Sequence, residues 1–213
     1  METIIEKEPS EDFERRTVVS VYSSIASDFD RTRYSVWKCV KDFIHGLPSN
    51  FLIYEAGCGN GKNFIRPKNT HGCDNCQQFV NLCKLRGLNV KHGDVTSIPE
   101  DNDKYDATMC IAVIHHLSTR ERRVKAIKEL ARITKIDSPI LITVWAHEYN
   151  NPDDTQDRMI PWKNRDDGIT YDRYYHYFKK DEIYDLCTEA NVIIDNMYDE
   201  CDNWIFIVKK NDK

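Results

Sequence analysis

The run Glu55-Ala-Gly57-Cys-Gly59-Asn-Gly61 follows directly on an apolar stretch that begins at Phe51. Three glycines at alternate positions let a chain leave a strand in a sharp turn and bring a ligand against bare backbone. The turn lacks the Lys-Ser/Thr pair of a phosphate-cradling loop. The stretch from Gly61 to the next strand has room for only about one helical turn, a weak dipole for a pyrophosphate. A nucleoside without phosphates fits better than a dinucleotide or a triphosphate. Asp74 closes the next strand, where a carboxylate accepts both hydroxyls of a ribose, and Asp94 of Gly93-Asp94-Val95 follows the third, where it can accept from an adenine amino group. His115 and His116 end a later strand on the same side of the sheet, at the edge where ligands of open α/β sheets bind. Cys73-Asp-Asn-Cys76 has the spacing of half a zinc site, but no second Cys or His pair accompanies it, so no metal is expected.

Elements must hold these residues together, and hydrophobic spacing supplies them. Val18, Tyr22, Ile25, Ala26 and Phe29 recur at helical period, and Val36 to His45 predicts a second helix that Gly46-Leu-Pro48 ends. Short apolar runs then alternate with amphipathic helices: strands at Phe51 to Glu55, near Asp74, at Leu88 to His92, Tyr105 to Val113 and Ile140 to Trp145. Ser118-Thr-Arg-Glu121 reads as a capping box opening a helix that buries Val124, Ile127 and Leu130. Glu148 to Asp172 is polar and aperiodic and reads as a surface loop or lid, within a substrate-side segment spanning 148–177. A last helix carries Ile183, Leu186, Cys187 and Ala190, before two β-like runs joined by a tight turn. Alternation of this kind predicts a mostly parallel sheet between helices, with an antiparallel hairpin at one edge. The expected organisation is an acidic segment over 1–16 and a single domain over 17–213, whose first helices occupy 17–47.

Length and composition narrow the class. A chain of 213 residues with 40% hydrophobic and 31% charged residues, 8 Gly and 7 Pro is neither disordered nor low in complexity. A net charge of −5 excludes a globally basic nucleic-acid binder and leaves local patches. The most prominent is Thr119 to Lys135, rich in Arg and Lys. The eight Cys in a chain long enough to need no staples predict free thiols in a reducing compartment, and the absence of a long apolar run predicts a cytoplasmic protein.

S-adenosylmethionine is a nucleoside without phosphates, and the order of Glu55-x-Gly-x-Gly-x-Gly61, Asp74, Asp94 and Asp106 to His116 resembles the class I methyltransferases that use it. Longer motifs are similar to those of the tRNA wobble-uridine carboxymethyl methyltransferases: Arg31-Thr-Arg-Tyr-Ser-Val-Trp37, Gly57-Cys-Gly-Asn-Gly-Lys62, Ile111-Ala-Val-Ile-His-His-Leu-Ser-Thr-Arg-Glu-Arg-Arg123, Arg173-Tyr-Tyr-His-Tyr177 and Asp202-Asn-Trp204. The resemblance runs from about Thr17 to Val208, with a short stretch before Arg173 where the family often carries a long charged insertion.

The resemblance implies a Rossmann-like sandwich with a seven-stranded sheet and S-adenosyl-L-methionine as cofactor, held by Glu55, Gly57, Gly59, Gly61, Asp74, Asp94, Val95 and the backbone of Ala112. It implies esterification of 5-carboxymethyluridine in tRNA, and a small zinc-binding activator protein as partner. The expected partner surface is the edge strand Leu88 to His92 and the neighbouring helix near Phe79 and Leu82. A carboxylate acceptor is already ionised at neutral pH and needs steering rather than a base. Arg33, His115, His116 and Arg120 are candidates for that steering, with Arg33 and His116 foremost. Tyr34, Trp145 and Tyr174 are candidates to stack on the uracil. Arg122, Arg123, Arg173 and His176 complete the expected RNA contacts. Two other readings remain open: a small-molecule or protein O-/N-methyltransferase with a histidine base, and a subunit that binds the cofactor without turnover.

Overall fold

A computed structural model of the chain describes residues 10–150 and 155–211. The five central strands are β1 (Ile53–Ala56), β2 (Thr70–Asp74), β3 (Asn89–His92), β4 (Ala107–Ile111) and β5 (Ile140–Trp145), and all neighbours among them run parallel. β8 (Val192–Glu200) and β9 (Asn203–Lys210) form the antiparallel hairpin, turning through Cys201 and Asp202, both in the left-handed region as a tight hairpin turn requires. The seven-stranded order is β3-β2-β1-β4-β5-β9-β8, so the winding reverses between β1 and β4. This is the expected sandwich, and crevices for ligands open at the carboxyl ends of strands at such a reversal.

Both faces of the sheet are covered, which is why β1, β4 and β5 are apolar almost throughout. On one face α3 (Lys38–Gly46) places Cys39, Val40 and Ile44 against Ile53, Met109, Leu141 and Ile205. On the other, α5 (Arg120–Ile133) and α7 (Lys180–Glu189) bury Val124, Ile127, Leu130, Ile183 and Leu186. α4 (Gln77–Leu85) packs Val80 and Cys83 beside β3. Thr119 caps α5 by accepting from the Arg122 N–H, one residue later than the sequence suggests, because the Ser118 hydroxyl is engaged elsewhere.

Two differences from the sequence reading bear on the site. The first helical run begins at Glu11, as α1 (Glu11–Glu14), and continues through a π-helical stretch over Arg15–Val19 into α2 (Ser20–Thr32), so the acidic lead from Glu11 onward belongs to the folded body. Residues 1–9 of that lead lie outside the described residues. The segment expected to be a loop over 148–172 contains instead a short helix, α6 (His147–Asn150), and the strand β6 (Asp157–Lys163), which pairs antiparallel with β7 (Thr170–His176). Its sequence hides this because Pro161 sits inside β6 and the hairpin's apolar side is made of aromatic rings that meet α1 and α2 rather than the main core.

The turn after β1 is built on steric necessity. Gly57 has φ +71, and a Cβ there would lie 2.4 Å from Val113 Cγ2. At Gly168, with φ +72, nothing lies within 4 Å of the added atom. Gly57→Ala is therefore expected to cost about 2–4 kcal/mol, conformational strain and overpacking together, and Gly168→Ala only about 1 kcal/mol, read from urea denaturation.

Candidate active site

A cleft of about 250 Å³ opens at the carboxyl ends of β1 and β4, lined at one end by the glycine turn. Glu55 projects from the buried strand β1, and its Oε1 accepts from Asn63 Nδ2 at 2.7 Å. Glu55 Oε2 and Asn63 Oδ1 are buried without partners, and burial pushes the Glu55 carboxyl up to about 8. Two orphaned acceptors side by side in a cleft suit an ammonium, which would satisfy both and favour the ionised carboxylate. Asp74 Oδ2 accepts from the Gly59 N–H at 2.7 Å and Oδ1 from the Cys76 N–H at 2.9 Å, which orients the carboxylate beside the turn. Burial raises Asp74 to about 6 against those hydrogen bonds. Gly59, at φ +53, faces open space, where a side chain's first atom would reach towards Phe29 at 3.8 Å. An ammonium site, an oriented carboxylate for hydroxyls and a bare-backbone wall together fit S-adenosylmethionine.

The other end of the cleft is aromatic. His115, His116, Trp145 and Tyr175 line it, with Trp145 and Tyr175 ring centroids 4.5 Å apart and tilted by 30°. Arg173 reaches in from β7, within 5.6 Å of the Tyr22 ring and 5.2 Å of the Tyr175 ring. One hydrogen-bond chain fixes this end. His116 Nδ1 lies 2.8 Å from the Tyr174 carbonyl, so that nitrogen carries the proton and Nε2 accepts from the Tyr22 hydroxyl at 3.0 Å. Tyr22 in turn accepts from Arg173 Nη1 at 3.2 Å. Burial, with Arg173 nearby, pushes His116 down to about 3; burial, then His116 and Arg173, hold His115 well below the usual imidazole range. Both rings are neutral at physiological pH, and His116 has no ring nitrogen left for a substrate.

With this geometry in hand, the likenesses to known proteins decide the family. A model for a methyltransferase domain matches residues 54–142. The tRNA (carboxymethyluridine(34)-5-O)-methyltransferase of Schizosaccharomyces pombe is 34% identical over 227 aligned residues, covering 94% of this chain and 99% of that protein. The chain belongs to that methyltransferase family. It spans only 34% of the Arabidopsis thaliana member, at 42% identity over 139 residues and 64% of this chain. Among solved structures, the fold matches Burkholderia thailandensis 1,6-didemethyltoxoflavin-N1-methyltransferase, bound to that compound and S-adenosylhomocysteine, at TM-score 0.71 and 14% identity over 98% of this chain and 94% of that one. It also matches a chain from the complex of the Haloferax volcanii Trm112 methyltransferase activator with a methyltransferase, at TM-score 0.66 and 12% identity over 93% and 98% of the two chains.

For a methyltransferase of this family, the cleft gathers much of what the sequence singles out. Glu55, Gly57, Gly59, Asp74, Val95 and Ala112 line the cleft together with Arg33, His115, His116, Trp145 and Arg173. Ala112, at φ +58, commits its N–H to Thr143, leaving its carbonyl for a ligand. Several expected residues are not brought in. Gly61 serves packing, since a Cβ there would lie 2.4 Å from Leu88 Cδ1. Asp94 turns its carboxylate onto its own Thr96, 2.8 Å from N and 2.7 Å from Oγ1. Tyr174 and His176 sit on the opposite side of β7 from Arg173 and Tyr175, as strand alternation demands. Tyr174 donates to Asp157 at 2.6 Å and stands edge-on to Phe13, while His176 lies between Asp157 and Glu182 at 2.6 and 3.0 Å.

The basic helix α5 works as a set of struts. Arg123 is buried, donating to the Leu117 carbonyl at 3.1 Å with Glu182 3.7 Å away. Arg122 meets Glu14 at 2.9 Å and Glu11 at 3.2 Å, and Arg120 meets Glu189 at 3.2 Å. Glu14 also accepts from the Ser118 N–H at 2.6 Å and hydroxyl at 2.9 Å, so the first helix is bolted over the cleft it lines. Burial raises the Glu14 pKa against these partners. Tyr34, expected as a stacking residue, is 80% exposed and does not line the cleft.

Sequence reasoning missed Tyr22 and Tyr175. Tyr22 was legible only as one apolar position of a helix stripe, whereas period-two spacing from Arg173 would have selected Tyr175 over Tyr174 had the strand been recognised. Because Tyr22 and His116 act in one chain, Tyr22→Phe and His116→Ala are each expected to lower kcat/KM about tenfold or more, and the double variant little further. Steady-state kinetics on the three variants, at matched thermal stability, checks this; additive losses would remove the chain from the account.

Proposed function

We propose that this chain transfers the methyl group of S-adenosylmethionine to the carboxylate of 5-carboxymethyluridine at the wobble position of tRNA, in the cytoplasm, and that Arg173 receives that carboxylate. The observation that carries the reading is a buried positive charge that no described carboxylate meets. Arg173 is 6% exposed, its Nε is buried without a partner, and its hydrogen bond is to a neutral phenol. Among the described residues no carboxylate pairs with it. Desolvating a cation costs several kcal/mol, of which stacking on aromatic faces returns part. An acceptor bringing its own carboxylate completes the site.

An ionised carboxylate needs no proton removed before it attacks, in keeping with two imidazoles held neutral by burial. S-adenosylmethionine, when bound, supplies a methyl group made electrophilic by a sulfonium. Glu55 and Asn63 hold the ammonium, Asp74 the ribose hydroxyls, and Val95 and Ala112 flank the adenine. Trp145 and Tyr175 receive the face of the extruded uracil, Arg173 steers its acid group, and the first helix, held by Glu14, keeps water out. Tyr34 is available to stack on a neighbouring base, and Arg33 stands at the rim. The buried, unbridged state of Cys39, Cys58, Cys73, Cys76, Cys83, Cys110 and Cys187 supports a reducing compartment.

The partner in this reading is a small zinc-binding activator that pairs along β3. Support comes from the open edge of that strand, with Asn89, Lys91 and His92 exposed, and from Leu85 beside it at 87% exposure. Phe79 does not belong to that surface, since it lines the cleft, and Leu82 is half-buried.

Purified chain, alone and co-expressed with such an activator, incubated with labelled S-adenosylmethionine and tRNA bearing 5-carboxymethyluridine, is expected to form a label that alkali releases as methanol. Arg173→Met should lower kcat/KM about ten- to a hundredfold with cofactor affinity retained. Unchanged kinetics in this variant would defeat the carboxylate assignment. At saturating cofactor the rate should stay flat from about pH 6.5 to 8, since no acceptor proton has to leave. Cofactor affinity should fall as the pH drops below about 8, where burial leaves Glu55 protonated in the free protein and the ammonium has to displace that proton, and fall further below about 6, where Asp74 takes up a proton and loses acceptor capacity. A rate that climbs with pH under saturation would favour a phenol or amine acceptor instead.

A further inference from the structure

Arg173 is not the sole cation on its aromatic support. The guanidinium carbons of Arg33 and Arg173 each lie 4.9 Å from the centroid of the Trp162 ring. Trp162 comes from β6, and its indole N–H donates to Asp28 Oδ2 at 3.0 Å. The other oxygen of Asp28 meets Arg31 at 3.1 Å, so this carboxylate is shared between the indole N–H and Arg31 and pairs with neither stacked cation. Among the described residues the Arg33 guanidinium makes one hydrogen bond, from Nη1 to the Thr32 carbonyl at 3.4 Å. Among the described residues neither arginine has a carboxylate partner, although Asp30, nearby in sequence, is paired with Arg86 at 2.7 Å.

Two positive charges on one indole can be no further apart than about 10 Å, close to the screening length at physiological salt, so they repel in the free protein. One is buried and one stands at the rim. Such an arrangement is relieved when an anion meets each. The structure assigns Arg33, Trp162 and Arg173 as a two-anion receptor: Arg173 takes the acceptor carboxylate, and Arg33 the phosphate on the 5′ side of the same nucleotide. This rests on the carboxymethyluridine reading above. In the anti conformation the C5 substituent of a pyrimidine lies on the edge that faces its own 5′ phosphate, so one nucleotide presents both anions on one side. Trp162 is then a positioning residue that sets the spacing between the two cations. Unmodified uridine in RNA supplies only the phosphate, and the free nucleoside only the carboxylate.

The test uses tRNA assembled by ligation, carrying 5-carboxymethyluridine with either a native phosphodiester or a neutral methylphosphonate on its 5′ side, and the full chain co-expressed with its activator where activity requires it. Wild-type enzyme is expected to lose about tenfold in kcat/KM on the methylphosphonate tRNA, mostly through KM. Arg33→Gln should lose a similar factor on native tRNA and nothing more on the neutral linkage. Trp162→Leu should weaken the response to the linkage, and Trp162→Phe, which keeps an aromatic face, should restore it; a merely structural role for the indole would leave that response intact. The receptor is overturned if wild type methylates both tRNAs equally, if Arg33→Gln keeps the full linkage penalty, or if a methylphosphonate on the 3′ side acts as strongly. No methylation of native tRNA by wild type would instead overturn the parent reading.

Discussion

A guanidinium buried among aromatic rings, with no carboxylate opposite it among the described residues, is the constraint around which the substrate end of this protein is arranged. Water cannot neutralise it, and the fold supplies rings, one phenol and a fixed orientation rather than an anion. Holding it there requires three separate parts of the chain: α2 brings Tyr22, the turn after β4 brings His116, and β7 brings both Arg173 and the carbonyl that fixes the imidazole tautomer. The β6–β7 hairpin packs outside the main sheet, so its register is set locally. His176 between Asp157 and Glu182 ties β7 to α7, and Phe13 against Tyr174 ties it to α1.

The same accounting of charge explains why a helix rich in arginine contributes no residue to the cleft. An arginine at the surface of an acidic protein has carboxylates within reach, and Arg120, Arg122 and Arg123 each have one. Arg33 and Arg173, which do line the cleft, have no such partner among the described residues. Count and clustering of positive residues along the sequence therefore say little about anion binding, whereas the pairing of each cation in three dimensions says a great deal.

The sandwich was readable because its signals are local. Apolar strands, amphipathic helices and the turn after β1 each follow from a few adjacent residues, and β5 lies where its run of β-branched and aromatic residues puts it. That Glu55, Gly57, Gly59 and Asp74 come together in one cleft was readable for the same reason, since all four are tied to strand ends. Gly61 and Asp94 share that position in sequence but face Leu88 and Thr96, which spacing does not reveal. The substrate end was harder to read. Pro161, the polar turn over 164–168 and an aromatic rather than aliphatic buried side concealed a hairpin, and with it the alternation that puts Tyr175 inward and Tyr174 outward. Tyr22 and Trp162 take their meaning from partners 94 and 134 positions away, a relation that no short window of sequence contains.

With Arg173 proposed as the receiver of the acceptor carboxylate, the chemistry also accounts for why arginine on aromatic supports, rather than lysine, stands at this position. Esterifying a carboxylate needs one oxygen oriented and the other left nucleophilic, so a partner that draws the full negative charge to itself would slow the attack. A lysine ammonium concentrates its charge at a point, and in a desolvated site it would either bind the acid too strongly or lose its own proton. A guanidinium spreads its charge over a plane, and here part of its field already acts on the faces of Tyr22, Trp162 and Tyr175. The fork geometry remains available to steer the acid, while the rings temper the pull it exerts. Neutral imidazoles around it add dipoles without a second full charge, which makes the low pKa of His116 a part of the same arrangement.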